Sequence, residues 1–298
     1  MYAKRFIAML IAYAAISAPI MAEELTGTLK QIKDSGVISL GHRESSIPFS
    51  YYDDQQRVVG YSYEIQMKIV DAVKRELKLA KLDVKLVPVT SQNRISLVQN
   101  GTVDLECGST TNNTERQRQV AFSNTVFIIG TRLLTKRDSG IRDFPDLAGK
   151  TVVTTAGTTS ERLIRKMNQD KKMNMRIISA KDHGESFLTL ESGRAAAFMM
   201  DDALLYGEIA KSKKPADWIV VGTPQSREAY GCMLRKDDAA FKKLVDAAIA
   251  KFETSVGAPT LYKKWFQSPI PPKGLNLNFP LSEDMKALYQ KPDDQPFD

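Results

Sequence analysis

The stretch LVQNGTVDLECGSTTNNTERQRQVAFS, residues 97–123, carries four signals in succession. A short amphipathic helix, RISLVQNG, closes at Asn100-Gly101, a helix stop. TVDLECG reads as a strand, and a run of small hydroxyl and amide residues follows it. Two arginines, Arg116 and Arg118, come next. GSTTNNTER has more polar residues than a simple turn requires, so the run calls for a second use.

The same order recurs further along. LESGRAAAFMMDDAL (190–204) is again a helix end, a glycine stop, a strand and a polar turn. GVISLGHRESS (36–46) and GKTVVTTAGTTS (149–160) are each a strand followed by a polar turn. Matched parts about 90 to 110 residues apart suggest two similar lobes, chance recurrence of common parts being the alternative. Around them, YSYEIQMKIVDAVKRELK sets Ile65, Ile69, Val73 and Leu77 on one helical face, and DVKLVPVT is a strand. Strands alternating with helices predict an α/β fold. Two extended runs, VFIIGTRLLTKR (126–137) and EAYGCMLRK (228–236), are the places where the chain would cross between lobes and return. AAFKKLVDAAIAKFE then forms a helix with Phe241, Leu244, Val245, Ala248 and Phe252 on its apolar face. The proline-rich end is expected to be irregular, with a short helix near 282–290.

The chain of 298 residues is long enough for two cores. Residues 1–22 have a basic start (Lys4, Arg5), an apolar run and a small residue, Ala22, the layout of a cleaved secretory signal peptide. The alternative, a membrane anchor, would need ~20 apolar residues. Export makes the two cysteines, Cys107 and Cys232, candidates for one disulfide, two buried free thiols being the other option. Two histidines and no CxxC argue against a protein-built metal site, and no cofactor motif is present. Of the formal charge of +7, Lys4 and Arg5 supply two, and the remaining basic residues are interleaved with acids. That pattern describes a solvated surface and not a nucleic-acid stripe.

The polar turns all follow strands, where open α/β sheets bind ligands. Three also carry capping signatures, Asn112 with Glu115, Thr158 with Glu161 and Asp182 with Glu185, and capping alone would account for any one of them. The accompanying charges add more. Arg43, Arg94 and Arg116 stand at three strand mouths, His183 starts a helix, and Asp201 ends a strand. One guanidinium clamps a carboxylate and one aspartate holds an ammonium, which together recognise an α-amino acid. Arg43, Arg94 and His183 would then face the ligand's side chain, and that surplus of cations suits glutamate or aspartate.

In these motifs the chain resembles the periplasmic solute-binding proteins of polar amino-acid ABC importers, solute-binding protein family 3. The resemblance runs over PFSYYDDQQRVVGYSYEI, SQNRISLVQNGTVDLECGSTTNNTERQRQVAFS, DLAGKTVVTTAGTTSE, AKDHGESFLTLESGRAAAFMMDD, AYGCMLRKDD and KKWF. It implies a type II two-lobed fold, each lobe a mixed sheet flanked by helices, with a two-strand hinge. Residues 23–129 with 231–298 would form lobe 1 and residues 130–230 lobe 2. It also implies Thr111, Arg116 and the backbone near Ser109 as the α-carboxylate clamp, with Thr159 as the second-lobe donor. Asp201 would accept the ammonium, and Arg43, Ser91, Arg94 and His183 would read the side-chain carboxylate. Where many family members carry an aromatic residue before the Arg-Ile pair, Ser91-Gln92-Asn93 keeps the pocket polar. Both cysteines fall in lobe 1, consistent with their pairing. The implied partners are an acidic amino acid and a membrane permease, the implied place is the periplasm, and the protein is expected to be a monomer without enzymatic activity. Two rivals share the fold. A dehydratase would need His183 as its acid–base group, and a sensor domain would be followed by a membrane span.

Overall fold

The computed structural model describes residues 25–297. The signal peptide expected over 1–22 lies outside the described residues. The main sheet has two halves with one topology. In the first, Val37–His42 lies between parallel neighbours Asp83–Pro88 and Leu105–Glu106, and Arg227–Leu234 runs antiparallel to Leu105–Glu106. In the second, Thr151–Thr155 lies between parallel neighbours Arg176–Ala180 and Ala197–Asp201, and Ala121–Lys136 runs antiparallel to Ala197–Asp201. The stretches read as echoes therefore occupy equivalent places, GVISLG and KTVVTT at the two centres and VDLEC and AAFMMD beside them.

The strand Ala121–Lys136 belongs to both halves. Its first part, up to Gly130, pairs with Arg227–Leu234, and from Thr131 onward it pairs with Ala197–Asp201 and Trp218–Val221. Sixteen residues of apolar and β-branched character, without a proline, allow one unbroken strand to do this.

Helices cover the sheet by the faces expected of them. Tyr61–Glu76 buries Ile65, Ile69 and Val73, and Leu77 follows it into the core. Ala239–Glu253 buries Phe241, Val245, Ile249 and Phe252, with Leu244 and Ala248 half-buried. The first half holds an aromatic core in which Phe127 lies 4.9 Å from Phe49 and 4.8 Å from Phe266 between ring centroids. A separate cluster under Thr159–Asp170 includes Leu133, Phe144, Val152 and Ile164.

Two local expectations need correction. Asn112 is not a cap. It pairs in the sheet with Ala229, and Asn113 caps Thr114–Gln117 by accepting from the Arg116 amide at 2.9 Å. The C-terminal segment is also more ordered than its prolines suggest. Pro269–Ile270 and Leu275–Asn276 form a hairpin, while the short helix expected near 282–290 is present as Glu283–Gln290. The segment then returns to the long strand, where the Thr125 amide donates to Asp293 O at 2.7 Å. The other two caps are as read, Thr158 and Asp182 accepting from the Glu161 and Glu185 amides.

Beneath this segment Glu253 is buried with both carboxylate oxygens unpartnered, and burial, with Asp293 beside it, raises its carboxyl to about 9. Its ordinary value is about 4.3. The folded protein thus keeps a proton that the unfolded chain releases, and stability falls as pH rises from the lower value toward the upper. Glu253→Gln is expected to remove that slope. Thermal melts of ligand-stripped protein should show the variant about 5 °C higher than wild type at pH 8 and level with it at pH 5. Equal differences at both pH values would contradict the buried-proton account.

Candidate functional site

All six parallel strands end toward the junction of the two halves, and each delivers candidate residues there. Arg43 follows Val37–His42, Ser91 and Arg94 follow Asp83–Pro88, and Ser109, Thr111 and Arg116 follow Leu105–Glu106. Thr159 follows Thr151–Thr155, His183 follows Arg176–Ala180, and Asp201 closes Ala197–Asp201. Eight of these nine are buried and Thr159 is half-buried.

Hydrogen bonds tie the group together. Arg94 Nη1 donates to Ser109 O at 2.9 Å and to the Thr110 hydroxyl, and Arg43 Nη1 donates to Ser109 Oγ at 3.4 Å. Arg116 Nη1 donates to Thr111 O at 2.9 Å, and its Nη2 reaches across to Gly157 O at 3.3 Å. His183 Nδ1 lies 2.9 Å from Thr155 Oγ1. Asp201 accepts from Thr131 Oγ1 at 3.0 Å, from Ser160 Oγ at 3.2 Å and from the Tyr230 hydroxyl. Ser91 Oγ, Arg94 Nε and His183 Nε2 are buried with no protein partner.

Burial governs the electrostatics. Arg43 is pulled down to about 10 by desolvation and then by the charge of Arg94, and Arg116 to about 9 by desolvation, Arg94 and Arg162. Both remain cationic at neutral pH. His183 is held well below its usual value by burial and by Arg43 and Arg94, so it is neutral. Asp201 is raised to about 7 by burial and by Glu228. No arginine of the three forms an ion pair with a protein carboxylate within 4.0 Å among the described residues.

The two halves meet over this cluster. Besides the Arg116 bond, the Gly184 amide donates to Ser45 Oγ at 3.4 Å, and Arg162 pairs with Glu115 at 2.9 Å on the exposed rim. Gly157 sits at φ +77° with the Gln92 backbone 2.9 Å from where a Cβ would stand, so only glycine allows this approach. No group of three His, Cys, Asp or Glu among the described residues is placed to hold a metal ion.

This geometry has known counterparts. Residues 38–268 match the model of the bacterial extracellular solute-binding proteins, family 3. The chain belongs to that family. It is similar to the L-glutamate/L-aspartate-binding protein of Pseudomonas aeruginosa, 65% identical over 286 residues covering 96% of this chain and 95% of that one. It is equally similar, at 65% over 268 residues, to the glutamate/aspartate import solute-binding protein of Escherichia coli, covering 90% and 89% of the two chains. Among solved structures, an ancestral arginine-binding protein bound to arginine superposes with a TM-score of 0.69 at 26% identity, covering 78% of this chain and 98% of that one. The architecture is thus the α/β fold of periplasmic binding proteins.

In this solute-binding protein Cys107 and Cys232 are joined as a disulfide, linking the strand that leads into Ser109 and Thr111 with the return strand. Two buried carboxylates escaped the sequence reading. Glu106 Oε2 accepts from Thr110 Oγ1 at 2.7 Å, and so lies one hydroxyl away from Arg94. Glu228 is buried on the return strand. The junction therefore holds Arg43, Arg94 and Arg116 against Glu106, Asp201 and Glu228, and the surplus of cations inferred from sequence is removed when all carboxylates are counted. What survives is the absence of direct ion pairs, with the arginines at the mouths of the first-half strands, Asp201 at the end of a second-half strand and Glu228 between the halves on Arg227–Leu234. Glu228 lies inside its strand, and Glu106, the last residue of Leu105–Glu106, reads as part of the run TVDLECG, so the strand-end signal passes both by. Gly108 is an indirect mark of Glu106, because a Cβ there would stand 2.5 Å from Glu106 Oε1 and 2.9 Å from Arg43 Cγ.

Proposed function

We propose that this chain is the capture component of an ABC importer for L-glutamate and L-aspartate. The observation that carries the reading is the set of buried guanidiniums and carboxylates, held apart and unpaired at the junction of two sheet halves. Buried charges are tolerated when an opposite charge reaches them, and an acidic amino acid supplies all three in one molecule. Arg116, Thr111, Thr159 and the backbone at Ser109 take the α-carboxylate. Asp201 takes the ammonium. Arg43 and Arg94 take the side-chain carboxylate, with Ser91 Oγ and His183 Nε2–H as neutral donors. The Thr155 hydroxyl on Nδ1 suits the tautomer that leaves Nε2 protonated.

Residues 23–129 with 231–298 form one lobe and 130–230 the other, hinged at Ala121–Lys136 and Arg227–Leu234. Ligand bridging both lobes stabilises the closed form, because only that form satisfies both sets of charges. A membrane permease then reads the closed surface. A signal peptide over 1–22 would carry the protein to the periplasm, where it would act as a monomer and need no cofactor. The relatives at 65% identity are named as binding proteins, and a neutral, fully buried His183 fits a ligand donor better than the acid–base group of a dehydratase.

Calorimetric titration of protein unfolded, stripped and refolded tests the reading. Glutamate and aspartate are expected to bind at least about a hundredfold tighter than glutamine, asparagine or arginine, a difference of ~2.7 kcal/mol. A neutral or basic amino acid binding as tightly as the two acids would overturn the assignment of Arg43, Arg94 and His183.

A further inference from the structure

Glu228 is 4% exposed, at the start of the return strand. Its Oε2 accepts from Thr111 Oγ1 at 2.5 Å and from Thr159 Oγ1 at 2.8 Å, one hydroxyl from each half of the sheet. Its Oε1 accepts from Ser226 Oγ at 2.9 Å. Ser226 Oγ lies 2.7 Å from Thr131 Oγ1, which donates to Asp201 Oδ1 at 3.0 Å. Two buried carboxylates are thus each held by one of two adjoining hydroxyls. Neither has a lysine, arginine or histidine of the described residues within 4.0 Å.

If Glu228 only aimed Thr111 and Thr159, its charge would be superfluous, because a glutamine oxygen accepts from two hydroxyls equally well. A second buried anion beside Asp201 costs free energy unless a cation joins the pair. Burial first, and the charge of Glu228 second, raise the Asp201 carboxyl. The position is also suggestive. Thr111 and Thr159 are the hydroxyls that the proposed function assigns to the α-carboxylate; each would turn its one O–H from Glu228 to the ligand, leaving Glu228 to the ammonium, which an amino acid bears on the same carbon.

We propose that Glu228 is a second acceptor for the ligand's α-ammonium group, acting with Asp201, and that this pair selects α-amino dicarboxylic acids over dicarboxylates without the amine. The proposal rests on the acidic-amino-acid reading above. It makes the return strand part of the binding site, so that ligand engages a hinge strand directly as well as the two lobes.

The test is titration of stripped wild type and Glu228→Gln with L-glutamate and with glutarate, which has the same two carboxylates and no amine. Glutamine keeps an acceptor for the Thr111 and Thr159 hydroxyls, removes the charge and turns an amide N–H toward Ser226 Oγ in place of the accepting oxygen. The glutamate Kd is expected to rise at least tenfold, while glutarate binds as before or more tightly, freed from repulsion by the lost anion. Equal weakening of both ligands would reduce Glu228 to a support for Thr111 and Thr159 and overturn the proposal. Tightening of both would make it an internal competitor for the carboxylate clamp and overturn it too. Wild type that binds neither glutamate nor aspartate would sink the underlying ligand reading instead. Should Glu228→Gln melt far below wild type, Glu228→Asp serves in its place, since it keeps the charge and draws it back from the ligand by one methylene. A loss of about threefold or more confined to glutamate is expected there, and no loss, or an equal loss for glutarate, overturns the proposal.

Discussion

Replacing Arg116 with alanine is expected to raise the Kd for glutamate between about 30-fold and 3000-fold, ~2–5 kcal/mol. Arg116 is 3% exposed and its two outer nitrogens are anchored on backbone carbonyls, Thr111 O on one side and Gly157 O on the other. The Thr111 bond lies within one lobe and holds the guanidinium before any ligand arrives, and the Gly157 bond joins it as the lobes close, so little freedom is lost on binding. Truncation would leave an α-carboxylate buried against hydroxyls and amides without its cation, and that uncompensated charge dominates the expected loss. Arg116→Lys should fall between the two, because it restores the charge but not the planar fork. Binding is measured by titration of stripped protein, with melting of the unliganded variants as the control for folding. A Kd within threefold of wild type in a folded Arg116→Ala protein would remove Arg116 from the carboxylate clamp.

Arg116 was legible because of where it stands. The nine candidate residues are polar groups placed just after apolar strand-like runs, and the carboxyl ends of strands are where such a sheet opens to ligand. That rule brings together residues as distant in sequence as Arg43 and Asp201. It fails for Glu228, which stands at the head of EAYGCMLRK and reads as the solvated edge of an extended run. Its burial is produced by Thr111 and Thr159, two residues far away in the chain, and no local pattern records that. Glu106 is hidden for a related reason. Its strand is covered on both sides, so the alternation that would mark an outward face is missing. The misplaced cap shows the limit at close range. Asn112 and Asn113 are chemically equivalent candidates, and the choice falls to Asn113 because a remote strand claims Asn112. The C-terminal segment is the same case at larger scale, since its order comes from long-range bonds such as Thr125 to Asp293 and from the packing of Tyr289 against Tyr61.

Removing the disulfide is expected to have the second large effect. Cys107 and Cys232 are 125 residues apart in sequence, so their bond closes a long loop and takes much conformational freedom from the unfolded chain. For loops of this order the stabilisation is typically ~2–4 kcal/mol. The double variant Cys107→Ala/Cys232→Ala should therefore melt about 5–15 °C lower. Both cysteines are buried, at 1% and 0% exposure, so a thiol reagent with reductant should leave the folded protein intact and act only when it opens. The bond also bears on the site. Cys107 stands two residues before Ser109, whose carbonyl and hydroxyl receive Arg94 and Arg43, and Cys232 lies on the strand that carries Glu228 and Tyr230. Releasing the pair frees the loop that presents the carboxylate clamp from the strand that presents the acceptors. Glutamate affinity should accordingly fall several-fold even at temperatures where the variant is fully folded. A melting point within 2 °C of wild type would show that packing alone holds these strands. A large stability loss with unchanged affinity would confine the disulfide to the fold and separate it from the site, because the arginines would then keep their geometry from Glu106, Thr110 and the backbone without it.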